Sequence, residues 1–246
     1  MKIIISPAKK MKISENSSQI ITHPIFLDKT NILVNEIKKL SLIELKNLFK
    51  CSDNIAFNAY QQFQNFDAIK QTSIALMTYD GIQYTYMGKN IFTKEEYLFL
   101  QNHLYIISGL YGLIRPLDEI KLHRLDMGID YKFLNYKNLY DFWGDTLYRE
   151  LFKNNDVVIN LSSKEYSKAI SKYLTKDDKF ITIYFYERIN EHLIEKAVYC
   201  KMARGLMINY IAKNMITNLE ELKKFNLLGY TFNQELSSDN NIVFIR

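Results

Sequence analysis

The chain has 246 residues, 48% apolar and 24% charged, enough apolar material for a sizeable core and too much for a disordered or fibrous protein. No apolar run approaches the roughly 18 residues of a membrane span, and Met1-Lys2-Ile3-Ile4-Ile5-Ser6-Pro7 is too short an apolar stretch for a secretion signal, so a cytoplasmic, membrane-free protein is expected. A formal net charge of +5 leans toward polyanionic partners without deciding the function. In chain order, Lys2 to Ser6 predicts a first strand closed by Pro7, followed by a loop rich in Ser and Asn through Ser18. Apolar residues at helical spacing from Asn31 to Leu48 predict two helices or one bent helix. Ile55 to Phe66 predicts another, capped by Ser52 or Asp53.

Ser73 to Tyr79 predicts a strand ended by the Asp80-Gly81 turn. A helix from Thr93 to Asn102 should lead to a strand over Leu104 to Ile107, terminating in Ser108-Gly109-Leu110-Tyr111-Gly112. Tyr136 to Phe152 predicts a helix and Val157 to Ile159 a buried strand ending at Asn160. Next, Ser162-Ser163-Lys164-Glu165 has the spacing of a capping box before a further helix. Phe180 to Tyr186 predicts a strand paired with part of Ile194 to Lys201. A helix over Ala203 to Asn214 follows, then a second capping-box spacing at Thr217-Asn218-Leu219-Glu220, and finally an antiparallel pair formed by Tyr230 to Phe232 and Ile242 to Ile245. Strands that alternate with helices early and pair with one another late predict an α/β fold. The expected architecture is a single domain over residues 1–246 with a mixed sheet flanked by helices.

Three of these strands end in Ser6, Ser108 and Asn160. In open α/β sheets ligands collect at such ends, where loop amides and helix N-termini favour anions. Lys9, Lys10, Arg115, Arg124 and Arg204 would supply the charges of a phosphate site, arginine through paired hydrogen bonds. The plainer alternative has the polar residues capping turns and the basic ones solvated. The Ser108 loop matches neither a Walker A loop nor a dinucleotide motif, and Ser108 lacks a hydrolase-elbow setting, so it is not a candidate nucleophile. Lys164, Lys168, Lys172 and Lys176 recur every four residues and would line one helix side, either tracking a nucleic-acid backbone or lying solvated. The helix pair from about Ser41 to Phe66 has the size of a helix-hairpin-helix unit, with Lys46, Lys50, Asn54 and Asn58 placed to meet phosphates, although an ordinary pair of packed helices accounts for the pattern at least as well. Arg124 and Asp126 would pair with each other, or Asp126 would orient Arg124 toward a ligand, and Trp143 is expected in the core. Cys51 and Cys200 stand apart as reduced thiols, and His23, His103, His123 and His192 show no ligand spacing, so neither a metal nor a cofactor is expected.

Taken together, the motifs Ile5-Ser6-Pro7-Ala8-Lys9, Tyr79-Asp80-Gly81-Ile82-Gln83-Tyr84, Ser108 through Asp118, Arg124-Leu125-Asp126-Met127-Gly128, Phe142-Trp143-Gly144, Val158 through Tyr166 and Ala203-Arg204-Gly205-Leu206-Met207 resemble the YaaA family of bacterial peroxide-stress proteins. They keep their order over nearly the whole chain. The resemblance implies a cytoplasmic protein of the oxidative stress response to hydrogen peroxide that limits unincorporated iron and so spares DNA from peroxide damage. It also implies an unusual α/β fold with a helix-hairpin-helix element and a positively charged cleft that binds duplex and other DNA forms. The family's motif positions fall on Lys9, Arg115, Arg124, Lys164 and Arg204. Two positions depart from the pattern: Met202 replaces the second lysine of Lys-Lys-Ala-Arg-Gly, and the hairpin has no glycine.

The leading expectation is therefore a DNA-binding protein that contacts phosphates with little regard to sequence. The alternative is an enzyme acting on a nucleotide or another phosphorylated small molecule in the same cleft. Ser108, Tyr111, Arg124, Asn160 and Arg204 would then position substrate, with no base visible beside a nucleophile. A direct iron binder is disfavoured by the scattered histidines and lone cysteines.

Overall fold

The computed structural model describes residues 1–14, 20–67, 72–154 and 156–246; residues 15–18 of the expected Ser- and Asn-rich loop lie outside them. The chain opens with β1 (Lys2–Ile5), whose three isoleucines expose no surface. A run apolar on both faces is what the middle of a parallel sheet demands. A loop containing β2 (Lys10–Met11) leads to three helices, α1 (Leu27–Lys38), α2 (Leu42–Phe49) and α3 (Asp53–Gln64). Then β3 (Ser73–Ile74), α4 (Ala75–Thr78), β4 (Tyr79–Asp80), α5 (Ile82–Met87) and α6 (Lys94–His103) precede β5 (Leu104–Ser108), which lies beside β1. β6 (Gly112–Ile114) folds back antiparallel on β5, and β7 (Glu119–Ile120) pairs with β3. Two short helices, α7 (Leu139–Trp143) and α8 (Thr146–Phe152), lead to β8 (Val158–Leu161) and α9 (Lys164–Ser171). The remainder comprises β9 (Phe180–Ile189), β10 (His192–Ile194), α10 (Ala197–Lys213), α11 (Leu219–Lys223), β11 (Thr231–Ser238) and β12 (Asn241–Ile245).

The expected mixed α/β sheet is present. Its order is β11-β12-β9-β8-β1-β5-β6, with β10 paired on β9 as the eighth strand. β1, β5, β8, β9 and β12 run parallel, and antiparallel β11 and β6 close the two edges. The expected antiparallel pairing of the last two strands is therefore found, with Thr231 opposite Ile245. From β1 the chain proceeds to β5 on one side, whereas from β8 it proceeds to β9 on the other. The loops after β1 and β8 thus diverge, and a crevice opens between them. Among the described residues no helix is long and apolar enough to cross a membrane.

Four local expectations need correction. Ser73 to Tyr79 is not one strand but β3, α4 and β4, all but completely buried; a short apolar run inside the core carries no period that separates helix from strand. Tyr136 to Phe152 divides into α7 and α8 because Gly144 takes φ 51 and ψ −138, which no helix contains. Of the segment expected to pair with Phe180 to Tyr186 only Ile194 lies in a strand, as the end of β10, and it stands opposite Glu187; α10 already starts at Ala197, six residues ahead of the expected start at Ala203. Neither expected capping box forms. Ser162 donates its hydroxyl to Asn160 instead, Glu165 accepts from the Gly128 amide, and α11 is capped by Asn218 accepting from the Glu221 amide. Trp143 lies fully buried, as expected, with Nε1 donating to the Gly109 carbonyl at 3.0 Å.

Candidate functional site

The loops at the carboxyl ends of β1 and β8 are fixed to each other, and the β1 loop to α5, by short polar contacts. The Ser163 amide donates to Ser6 Oγ at 2.8 Å, and the Tyr84 hydroxyl donates to the Ser6 carbonyl at 2.9 Å. Around them runs a cleft made of adjoining hollows. A hollow of about 560 Å³ lies between the β1 loop, α5 and the starts of α9 and α10; one of about 380 Å³ continues between α9, β9 and α10 and shares Ser163, Lys201 and Arg204 with the first. On the other side a hollow of about 390 Å³ runs between the β1 loop and α3, lined by Lys9, Lys10, Asn58, Gln62 and Arg124. A chamber of about 10 Å³, roughly one water in size, is bordered by Lys9, Tyr79, Ser108, His123, Arg124, Asp126 and Tyr166.

Two glycines make these approaches possible. A Cβ on Gly109 would stand 2.3 Å from the Leu125 carbonyl oxygen, and one on Gly205 would stand 2.2 Å from the Gln83 carbonyl oxygen. Only glycine lets the Ser108 turn lie under the Arg124-Leu125-Asp126 segment, and only glycine lets α10 carry Arg204 up to α5.

Lys9, Lys10, Arg124, Lys164, Lys201 and Arg204 line the cleft together with the carboxylates Asp80, Asp126, Glu165 and Glu195. Three cations are already paired: Lys9 with Asp126 at 3.0 Å, Lys10 with Asp80 at 3.2 Å and Arg204 with Glu195 at 3.2 Å. The Lys10 ammonium holds the Asp80 carboxyl below the usual range. Arg124 differs. Among the described residues its part-buried guanidinium has no ion pair or hydrogen bond, and its Nε is out of contact with water. Neither expected partnership of Arg124 with Asp126 is formed, because Asp126 is taken by Lys9 and by the Tyr166 hydroxyl at 3.5 Å.

Beneath Arg124, burial pushes the His123 imidazole down to about 4, so it is neutral at ordinary pH. Nδ1 lies 2.9 Å from the Lys121 carbonyl, which can only accept, so Nδ1 carries the hydrogen and Nε2 offers its lone pair to Ser108 Oγ at 3.4 Å. A base therefore does stand beside Ser108, contrary to the sequence expectation. The serine is nevertheless buried and accepts from the Leu110 and Tyr111 amides, which makes it a turn cap. Burial raises the Tyr79, Tyr84 and Tyr166 hydroxyls, and these stay protonated.

The remaining predicted residues divide. Lys9, Lys10, Arg124, Asn160, Lys164 and Arg204 come together at the cleft, and Ser108 lies in its floor. Asn160 holds the β8 end by accepting from the Ser162 amide and hydroxyl. Tyr111 is buried behind Ser108, its ring edge-on to His123 and its hydroxyl accepting from the Lys121 amide. Arg115 is elsewhere. Because β6 runs back along β5, Arg115 follows Ile114 at the level of Tyr105, on the opposite rim, where it pairs with buried Asp118. Lys50 caps α2 in the left-handed conformation, φ 45, that glycine usually occupies, and does not line the cleft. The Lys50 and Cys51 amides bond back to Asn47 and Lys46. The lysine row ends early: Lys172 caps α9 and Lys176 follows it, while Lys168 lies over the Tyr140 ring. Sequence reasoning missed Asp80, Gln83, Glu165, Glu195 and Lys201 as cleft residues; all but Glu195 stood within the motifs given above, which was the available signal.

The family model for Peroxide stress protein YaaA matches residues 1–236. A UPF0246 protein of Agathobacter rectalis is 43% identical over 246 residues, covering 100% of this chain and 99% of that protein. One of Pediococcus pentosaceus is 44% identical over 100% of this chain and 98% of its own, and one of Clostridioides difficile is 38% identical over 100% of both. With similarity running from end to end, and the motif residues other than Arg115 gathered at one cleft, the chain belongs to the peroxide stress protein YaaA family.

Proposed function

We propose that this chain is a cytoplasmic DNA-binding protein of the peroxide stress response, holding DNA phosphates along the cleft without strong sequence preference. The observation that carries the reading is Arg124, a part-buried guanidinium left without a counter-charge. Such a group is costly unless an anion completes it, and a phosphate does so with two parallel hydrogen bonds. Lys164 and Lys201 also lack ion pairs among the described residues and extend the charge past the start of α9. The α3 wall, with Asn58 and Gln62, flanks Arg124, and α2 and α3 form the pair to which a helix-hairpin-helix role is assigned. Limitation of unincorporated iron rests on family membership. Among the described residues no three side chains of His, Cys, Asp or Glu converge as a ligand set.

The test is fluorescence anisotropy with two duplexes of unrelated sequence across a salt series. Counterion release gives a slope of log affinity on log salt of about −0.9 per neutralised phosphate. Three unpaired cations therefore predict about −3, and all six about −5. Arg124→Ala should flatten the slope by about one unit and weaken both duplexes equally, while leaving the free protein as stable or about 1 kcal/mol more stable, since it removes an unpaired charge. Arg204→Ala and Lys9→Ala should likewise weaken both sequences alike. A wild-type slope near zero sinks the proposal.

A further inference from the structure

The hollow at the β1/β8 divergence is lined by two chemically different sets of groups. In one, Ser163, Lys201 and Arg204 form the junction with the next hollow. There α9 begins without a side-chain cap, and among the described residues Arg204 Nε has no partner while a terminal nitrogen holds Glu195. In the other stands Gln83, on the α5 wall against which α10 packs at Gly205. The residue is 8% exposed, and among the described residues its buried amide nitrogen has no hydrogen-bond partner. Tyr84 and Tyr166 also line the hollow, and Tyr84 is fixed by its bond to the Ser6 carbonyl. An anion seat, and in the same hollow an unpartnered carboxamide offering both a donor and an acceptor alongside two tyrosines, match a phosphate and a base edge. The volume, about 560 Å³, falls in the usual ligand range of roughly 300–1,000 Å³.

We propose that this hollow seats one nucleotide unit, its phosphate on Arg204, Lys201 and the start of α9 and its base edge on the Gln83 amide. The proposal rests on the DNA-binding reading only for the source of the nucleotide, since a free nucleoside monophosphate presents the same chemistry. In a DNA strand the seated base must leave the stack, which is least costly at an unpaired position.

The experiment compares three probes: a fully paired duplex, the same duplex carrying 2-aminopurine opposite an abasic site, and the four free deoxynucleoside 5′-monophosphates as competitors. The unpaired duplex should bind about tenfold more tightly than the paired one, as one added hydrogen-bonded contact allows. Gln83→Leu should bring that ratio to about one, and Lys201→Ala, a change at an exposed side chain, should weaken both duplexes. Circular dichroism melting checks that each variant is folded. If Gln83→Leu does not fold, the wild-type complex decides by 2-aminopurine emission, and emission unchanged from the free duplex overturns the proposal. Equal binding of both duplexes with no displacement by any monophosphate also overturns it, while leaving DNA binding standing. Binding of a monophosphate without either duplex upholds the seat and removes the DNA reading.

Discussion

Gly205→Ala sets two opposing effects against each other in a way the structure decides. In an exposed helix the exchange gains about 1 kcal/mol from helix propensity. Within α10 the new methyl would lie 2.2 Å from the Gln83 carbonyl oxygen and 2.9 Å from the Met87 nitrogen, both backbone atoms of α5. Neither can rotate away, so the two helices must part by roughly 1 Å in an interior packed to crystal density. Parting them loosens Tyr84, Met87, Ala203, Met207 and Ile208, each at most 1% exposed. Overpacking typically costs about 1–3 kcal/mol, with the upper end fitting a backbone clash, so the net loss should be about 2 kcal/mol. For a chain of this length that lowers Tm by roughly 4–8 °C. Thermal melting with urea unfolding measures it, and Gly128→Ala is the control, because its nearest contact, at 3.1 Å, is the movable Glu165 side chain; the control should shift by less than about 0.5 kcal/mol. A Gly205→Ala protein that melts at or above wild type would refute the claim that this glycine is required for the approach of α10 to α5.

Two further predictions follow from the charges near the cleft. His123 titrates at about 4 when folded against 6.5 when free, so the unfolded chain takes up its proton first. The stability contributed by the neutral ring is complete above pH 6.5 and is lost as pH falls toward 4, by about 1.4 kcal/mol per unit and about 3 kcal/mol in all. Urea unfolding from pH 7 to 4.5 should show this slope in wild type and less of it in His123→Gln; an imidazole seen by NMR to titrate near 6.5 contradicts it. Asp126→Asn releases Lys9 from its 3.0 Å ion pair and should tighten duplex binding while steepening the salt slope by about one unit. An unchanged slope would mean that Lys9 does not reach phosphate.

Much of the sheet was legible because strands such as Lys2–Ile5 and Val158–Leu161 are short, apolar on both faces and followed by polar ends. The gathering of Lys9, Arg124, Lys164 and Arg204 was legible from motif residues and the strand-end rule, before any of their distances were known. Three kinds of fact were hidden. Ser73–Thr78 is buried throughout, so its hydrophobicity carried no period. Arg115 looked like its neighbours in the motif, but its position depends on β6 reversing along β5, a pairing that no local residue announces. Two of the three carboxylate partners lie far off in sequence, Asp126 from Lys9 and Asp80 from Lys10, and only the fold joins them.

That pairing bears on how the cleft would work. Were Lys9, Lys10, Arg124, Lys164, Lys201 and Arg204 all unpaired, mutual repulsion would push apart the very loops that must stay together. Asp126, Asp80 and Glu195 offset this by holding Lys9, Lys10 and Arg204 in place beside the β1 loop and α10. A phosphate arriving at those three must compete with a carboxylate already there, whereas at Arg124 it meets none. On the proposed reading the free-energy gain on phosphate binding would be largest at Arg124 and the two unpaired lysines, and smaller at the paired cations, which also hold the shape of the cleft. The same arrangement explains why net charge is a poor guide to this chain: a formal +5 spread over the surface would predict weak, diffuse attraction. One guanidinium, part-buried between hollows and lacking a counter-charge, predicts a located one.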